Sequence, residues 1–362
     1  MSSVGSHQSQ PRRRGVIARY RERLPVSANT PVITLNEGDT PLVSAPGFVN
    51  AIGGNFELWL KYEGLNPTCS FKDRGMTMAI SKAAERGAKV VMCASTGNTS
   101  ASAAAYSARA GMRCVVLLPH GKIALGKLAQ ALMYGATTIS VDGNFDEALR
   151  IVRELGEAGK VEVVNSINPF RIEGQKTASF EICDDLGCAP DFHFLPVGNA
   201  GNITAYWKGY REYHECGMTS SLPRMFGFQA AGSAPIVEDR IIEHPNTVAT
   251  AIRIGNPASW LAAREALAQS NGHIAKVTDD EILAAYKLLA RTDGVFVEPA
   301  SAAALAGIRQ CTHAGLIPNG SVLVATMTGH GLKDPDCALE HAGYKPTVVA
   351  AQKEAVMEVI GL

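Results

Sequence analysis

Several short segments of this 362-residue chain concentrate side chains able to act on a small polar molecule. The first is Asn66-Pro67-Thr68-Cys69-Ser70-Phe71-Lys72-Asp73-Arg74-Gly75. Pro67 and the polar run read as a loop entering a helix over Met76–Ala84, which puts Lys72 near a helix N-terminus. The positive end of the helix dipole disfavours an ammonium there and favours a neutral amine or imine, the form needed by a lysine that makes a Schiff base. The plain alternative is a solvated lysine paired with Asp73. The second segment, Ala94-Ser95-Thr96-Gly97-Asn98-Thr99-Ser100-Ala101, carries hydroxyls, a glycine and an amide into a helix of small residues. Backbone N–H groups at such a start bind anions, carboxylates included, and Asn98 can donate to a phenolic oxygen on a planar ligand. Ordinary N-capping needs only one of Ser95, Thr96 and Thr99.

The third segment, Pro196-Val197-Gly198-Asn199-Ala200-Gly201-Asn202-Ile203, reads either as a cup of backbone N–H groups for a phosphate or as a glycine-rich turn. No GK[ST] follows and the GxGxxG spacing is missing, so neither a Walker loop nor a dinucleotide fingerprint is present. In the fourth, Ala325-Thr326-Met327-Thr328-Gly329-His330-Gly331-Leu332-Lys333-Asp334, a strand ends at Thr328, whose hydroxyl suits a ring nitrogen that stays unprotonated. Read alone, it is a strand end with a tight turn.

These loops need elements to hold them. Short β-branched runs fall at Val90–Cys93, Cys114–Leu118, Thr137–Val141, Val161–Val164, Phe192–Val197, Val295–Val297 and Val322–Thr328. Between them lie helical stretches, among them Ala101–Ala110, Leu125–Tyr134, Phe145–Leu155, Ile203–Glu212, Asp279–Ala290 and Ala302–Ile308. Runs apolar on both faces, alternating with helices, predict an α/β chain with mostly parallel sheets covered on both sides. Ligands in such folds bind beyond the carboxyl ends of the strands, where these loops lie.

Composition narrows the class. The formal net charge is zero, so no strong field is present to hold a nucleic acid. No apolar run is long enough for a membrane span and no secretory h-region follows Met1. The eight cysteines form no CxxC and, with nine scattered histidines, no metal spacing; they read as reduced thiols of a cytoplasmic protein. The Ser/Gln-rich start with Arg12, Arg13 and Arg14 reads as a flexible tail over residues 1–30.

SFKDRG around Lys72, STGNTSAS from Ser95 to Ser102, GNAGN from Gly198 to Asn202 and Glu298-Pro299-Ala300-Ser301 before a helix together resemble the fold type II pyridoxal-phosphate (PLP) enzymes, the tryptophan synthase β-like family. The stretch Val164-Asn165-Ser166-Ile167-Asn168-Pro169-Phe170-Arg171-Ile172-Glu173-Gly174-Gln175-Lys176 is similar to that of the threonine synthases among them. Arg171 has the fork that matches phosphate oxygens, with Asn165 and Ser166 as neutral donors; a surface salt bridge with Glu173 is the alternative. The resemblance implies two three-layer α/β/α domains with PLP in the cleft between them. It places a small mobile domain over residues 62–155 and a large one over 1–61 and 156–362. It further implies that Lys72 carries PLP as a Schiff base, that Asn98 contacts its phenolic oxygen, that Gly198, Asn199, Ala200, Gly201 and Asn202 hold its phosphate, and that Thr328 faces its ring nitrogen. Ser95, Thr96, Gly97 and Thr99 would hold a substrate carboxylate, and Asn165, Ser166 and Arg171 the phosphate of O-phosphohomoserine. A homodimer is implied as well. A threonine or serine dehydratase, and a non-catalytic PLP-binding regulatory protein, are the rival readings. Two positions depart from the family pattern: Cys69 stands where glycine is usual and His330 where asparagine is common.

Overall fold

The computed structural model of the chain describes residues 15–95, 97–120, 125–143, 145–344 and 346–361. Its strands are β1 (Leu42–Ser44), β2 (Glu57–Tyr62), β3 (Val90–Ala94), β4 (Arg113–Pro119), β5 (Thr137–Val141), β6 (Glu162–Val163), β7 (Phe192–Pro196), β8 (Arg224–Ala230), β9 (His273–Val277) and β10 (Val322–Met327). They form a six-stranded sheet in the order β1-β2-β10-β7-β8-β9 and a four-stranded sheet in the order β5-β4-β3-β6. β1 runs antiparallel to β2, and the other pairings of these strands are parallel.

The sequence explains the covered faces. Along β3, Val91 and Cys93 enter one core while Met92 and Ala94 enter the opposite one. β4 divides the same way, with Cys114, Val116 and Leu118 on one side and Val115 and Leu117 on the other. In the larger sheet, Leu323, Ala325 and Met327 of β10 face one core and Val324 the other. Strands apolar at successive positions can be buried on both faces, and helices supply both covers. The helix Pro299–His313 does this with small residues: Ala300, Ala302, Ala303, Ala304 and Ala306 are all buried.

Some expectations need correcting. Val295–Val297 forms no strand; Val297 makes an isolated bridge to His330. The four-stranded sheet takes in β6, Glu162–Val163, at its edge. The expected looseness through residue 30 fails for its described part. Val16, Ile17, Tyr20 and Leu24 are buried in the core that also contains Phe180 and Tyr213; residues 1–14 lie outside the described residues. All eight cysteines are free thiols. Among the described residues no helix is long and apolar enough to cross a membrane, and no group of His, Cys, Asp and Glu is placed to hold a metal.

Candidate active site

Lys72 is the first residue of the helix Lys72–Glu85, so the helix begins at the lysine itself rather than at Met76. The chain enters through Cys69 at φ 65. That is the left-handed region, where a cysteine costs roughly 1–2 kcal/mol relative to glycine. The loop is then zipped to the turn after β10. Phe71 N–H donates to Thr328 O and His330 N–H to Cys69 O, both at 3.0 Å, with a bridge between Ser70 and Gly329. Backbone pairing alone thus brings the lysine loop to the end of β10.

The two residues after Lys72 are committed to the framework. Asp73 does not pair with it. The Asp73 carboxylate accepts the Thr68 N–H at 2.7 Å and the Thr68 and Ser102 hydroxyls at 2.6 Å each. Ser102 lies on the helix Asn98–Ala110, so Asp73 ties the first segment to the second. Arg74 is buried between Glu63 and Glu181, at 2.7 and 2.6 Å. Lys72 has no ion-pair partner among the described residues, and its Nζ lies 3.8 Å from the centroid of the Phe71 ring. Burial, and then the cation of Arg171, lower its pKa to about 7, with Glu298 opposing. Burial is thus the leading cause of the lowered pKa. Near neutral pH much of Lys72 is free amine, the form that attacks carbonyl carbon or takes a proton.

Arg171 sits on the helix Pro169–Gln175, which Pro169 starts and Asn168 caps through a bond from Phe170 N–H at 3.0 Å. Its exposure is 2%. Glu173, the expected partner, pairs instead with Lys176 and Lys208 at 2.6 and 3.1 Å. Arg171 has no carboxylate partner among the described residues. It makes one long contact, 3.4 Å to Val164 O, and its Nε has no partner. Burial lowers its pKa to about 10. A guanidinium taken out of water without a counter-ion is unfavourable until an anion arrives. Two glycines set its position. A Cβ on Gly75 would sit 2.9 Å from Arg171 O, and one on Gly174 would collide with the Arg74 carbonyl, so the two helices touch backbone to backbone.

Asn165 holds the end of β3. Its Oδ1 accepts Ala94 N–H at 3.0 Å and its Nδ2 donates to Ala94 O at 2.9 Å, extending the end of β3. One N–H of its amide is left for another acceptor. Ser166 is half-buried beside it. In the second segment, Ser95 Oγ accepts Gly97 N–H at 3.2 Å. The first N–H groups of the following helix have no intrahelical acceptor, as at any helix start, and Thr99 is among them. Thr96 lies outside the described residues.

At the third segment the helix Gly201–Glu215 is entered through Ala200 at φ 64. The left-handed residue is thus Ala200, while Gly201 has ordinary space: an added Cβ would lie 3.6 Å from Ile172 Cδ1 and 3.7 Å from Ser259 Oγ. Asn199 fastens the covering loop, its O accepting Ser259 N–H at 3.1 Å and its Oδ1 accepting Ala258 N–H at 3.3 Å. Gly198 allows close approach, since a Cβ there would be 3.0 Å from Ile252 Cα. Asn202 is buried with neither Oδ1 nor Nδ2 bonded.

Glu298, which the sequence marks only as part of a motif, is the residue its reading underused. Asn98 Nδ2 donates to Glu298 Oε2 at 2.9 Å and Thr328 Oγ1 donates to Glu298 Oε1 at 2.8 Å. The single Thr328 proton is therefore spent on Glu298. The expected bond to an unprotonated ring nitrogen requires that proton to be handed over.

Comparison with known proteins bears on this geometry. The model of the pyridoxal-phosphate dependent enzyme family matches residues 33–329. Threonine synthase of Halalkalibacterium halodurans is 57% identical over 347 residues, covering 96% of this chain and 97% of that one. Threonine synthase of Synechocystis sp. is 60% identical over 340 residues, covering 94% and 88%. The chain belongs to the threonine synthases. Among solved structures, the processed form of threonine deaminase isoform 2 from Solanum lycopersicum superposes with a TM-score of 0.70 at 22% identity, covering 85% of this chain and 84% of that one, which speaks for the fold.

The cofactor of this family is PLP, and the residues present fit it. The unbonded Asn202 and the open start of the Gly201–Glu215 helix suit its phosphate. The lowered Lys72 amine suits its aldehyde carbon, and the polar ends of Asn98 and Thr328 suit its ring.

Proposed function

We propose that the chain converts O-phosphohomoserine and water into threonine and phosphate, the last step of threonine biosynthesis, by γ-elimination followed by β-addition of water. The observation that carries the substrate choice is Arg171, a buried cation without a counter-ion whose charge acts on Lys72. A dehydratase, which handles no phosphate, has no use for it.

Bound PLP supplies delocalisation of the electron pair left when a C–H bond beside the amino group breaks. The chain's own residues do the rest. The Lys72 amine takes the α-proton, would hand it on to the cofactor side of the delocalised system, and as a free amine again takes a proton from the β-carbon; one base near both carbons serves both transfers because it is discharged between them. Arg171, with the Ser166 hydroxyl and the remaining N–H of Asn165, anchors the phosphate until it leaves from the γ-carbon. The start of the Asn98–Ala110 helix, with Ser95, Thr96, Gly97 and Thr99, holds the substrate carboxylate. Gly198 to Asn202 hold the cofactor phosphate, and Asn98 and Thr328 bracket its ring. Residues 62–155 act as a small mobile domain that closes on residues 1–61 and 156–362 and keeps water out until it is needed. A cytoplasmic homodimer acting on this small molecule completes the proposal; the dimer rests on family resemblance.

The test is to supply purified protein with O-phosphohomoserine, serine and threonine separately, and to measure phosphate, threonine and 2-oxo acid. Equal release of phosphate and threonine from the first substrate is expected. Release of 2-oxo acid from serine or threonine alone would move the assignment to a dehydratase. PLP occupancy with no turnover of any of the three would move it to a regulatory protein.

A further inference from the structure

The carboxylate of Glu298 is oddly spent. It stands at the N-cap of the long helix Pro299–His313, where an acidic side chain usually folds back onto the first N–H groups. It makes no such bond. It is 4% exposed, and no lysine or arginine is bonded to it among the described residues. Its oxygens face outward from its own helix to Asn98 on one side and Thr328 on the other. Gly329 makes room, because a Cβ there would lie 2.5 Å from the Glu298 carboxyl carbon. Behind Thr328 the chain of donors continues: Ser301 Oγ is 2.9 Å from Thr328 Oγ1, and Gly329 N–H donates to Ser301 Oγ at 3.3 Å.

A carboxylate can only accept. Asn98 must therefore turn its NH2 toward Glu298, which fixes the orientation of its amide and leaves its second N–H free as a donor. Thr328 is fixed by the same logic, since its proton lies toward Glu298. The two residues come from different sheets, Asn98 from the loop after β3 and Thr328 from the end of β10. Glu298 is where they meet.

We infer that Glu298 is a positioning residue that orients the Asn98 amide and couples it to Thr328, so that the two ends of the cofactor ring site are set together. This rests on the PLP reading of Asn98 and adds to it a residue that acts through Asn98. The role differs from plain support of the fold in a measurable way: removal of Glu298 takes away what Asn98 contributes and leaves the phosphate cup at Asn202 untouched.

The experiment is PLP titration of the cofactor-free full chain, read by visible absorption, for Asn98→Ala, Glu298→Ala, Glu298→Gln, Asn202→Ala and paired variants. Asn98→Ala and Glu298→Ala should each raise Kd about 10- to 100-fold, and the pair should be no more than about 3-fold worse than the weaker single variant. Glu298→Ala with Asn202→Ala should multiply, because those sites share no partner. Glu298→Gln keeps the shape but offers one acceptor in place of two, so an intermediate loss of roughly 3- to 10-fold is expected, again absent when Asn98 is alanine. If Glu298→Ala does not fold, the Gln cycle carries the test alone. Multiplying losses in the Asn98–Glu298 cycle would overturn the inference while leaving the PLP reading of Asn98 intact. An unchanged Kd for Asn98→Ala would overturn both. Failure to make threonine from O-phosphohomoserine would count against the proposed reaction without touching this cycle.

Discussion

Replacing Arg171 by alanine separates the substrate phosphate from every other demand on the site. Burial brings the guanidinium from 12.5 to about 10. At ~1.36 kcal/mol per pH unit this is an unfavourable charge of roughly 3 kcal/mol, which an incoming dianion relieves. Loss of the charge-assisted pair should therefore cost roughly 2–4 kcal/mol, on the order of 30- to 1000-fold in kcat/KM for O-phosphohomoserine. The PLP Kd should stay unchanged, because the proposal seats the cofactor phosphate at Gly198–Asn202 rather than at Arg171. The response of the visible band to serine, which has no phosphate, should barely change. Arg171→Lys should recover only part of the loss, since an ammonium cannot make a planar two-pronged contact. The cofactor-free Ala variant should also melt no lower than the parent, because a buried charge without a partner has been removed. The assay is steady-state kinetics on both variants beside PLP occupancy, the serine titration and thermal melts. A near-normal kcat/KM for Arg171→Ala would refute the reasoning and favour a dehydratase-like enzyme.

Four further outcomes are expected. Borohydride reduction of the PLP-loaded protein should place the label on Lys72, as read by peptide mass; label on another lysine would remove the basis for the first segment. In the cofactor-free protein, acylation of Lys72 should reach half its plateau near pH 7, and Arg171→Ala should move that midpoint upward, because the cation that disfavours the ammonium is gone. Cys69→Gly should raise the melting temperature, in line with relief of about 1 kcal/mol at a φ of 65, and an unchanged or lower value would show that the cysteine side chain repays its strain through packing. Gly201→Val should weaken PLP binding, as read by dialysis, while leaving the cofactor-free melt close to normal, since the backbone there is not left-handed and a Cβ has room; full occupancy would show the cup to be misassigned.

The parallel sheets were legible because burial on both faces leaves a run such as Val90–Ala94 with nothing polar in it. Lys72 and the GNAGN stretch stood out because their loops concentrate glycines, amides and a lysine that ordinary turns use more sparingly. β2 escaped because Glu57, Trp59 and Lys61 break its pattern, and only the fold reveals that Lys61 is buried against Glu181 at 2.9 Å. The packing of Val16 and Ile17 escaped because a four-residue helix has almost no periodicity to read. Asn165 was assigned to the substrate because its residue type suits that task; its bonds to Ala94 depend on which strand lies alongside. Glu298 escaped for a related reason. A glutamate before a proline reads as a helix start, and its reach to Asn98 exists only once two sheets face each other. Arg171 was legible as a cation, whereas its lack of a partner is a property of the packed interior.

The contact of Gly75 with the Pro169–Gln175 helix has a consequence for which molecules can react. Under the proposed roles, the Lys72 amine and the Arg171 cation ride on two helices whose main chains meet at Gly75 and Gly174, with the Gln175 side chain packed against Gly75. On that proposal, the backbone contact limits how far the two groups can shift relative to each other once the site is closed. The expectation is that a molecule with one carbon fewer or more between its amino-bearing carbon and its phosphate reacts more slowly, because seating one end displaces the other. Changing that length preference by substitution would require moving the helices apart, and the first side chain able to do so, at Gly174, would meet the carbonyl of Arg74.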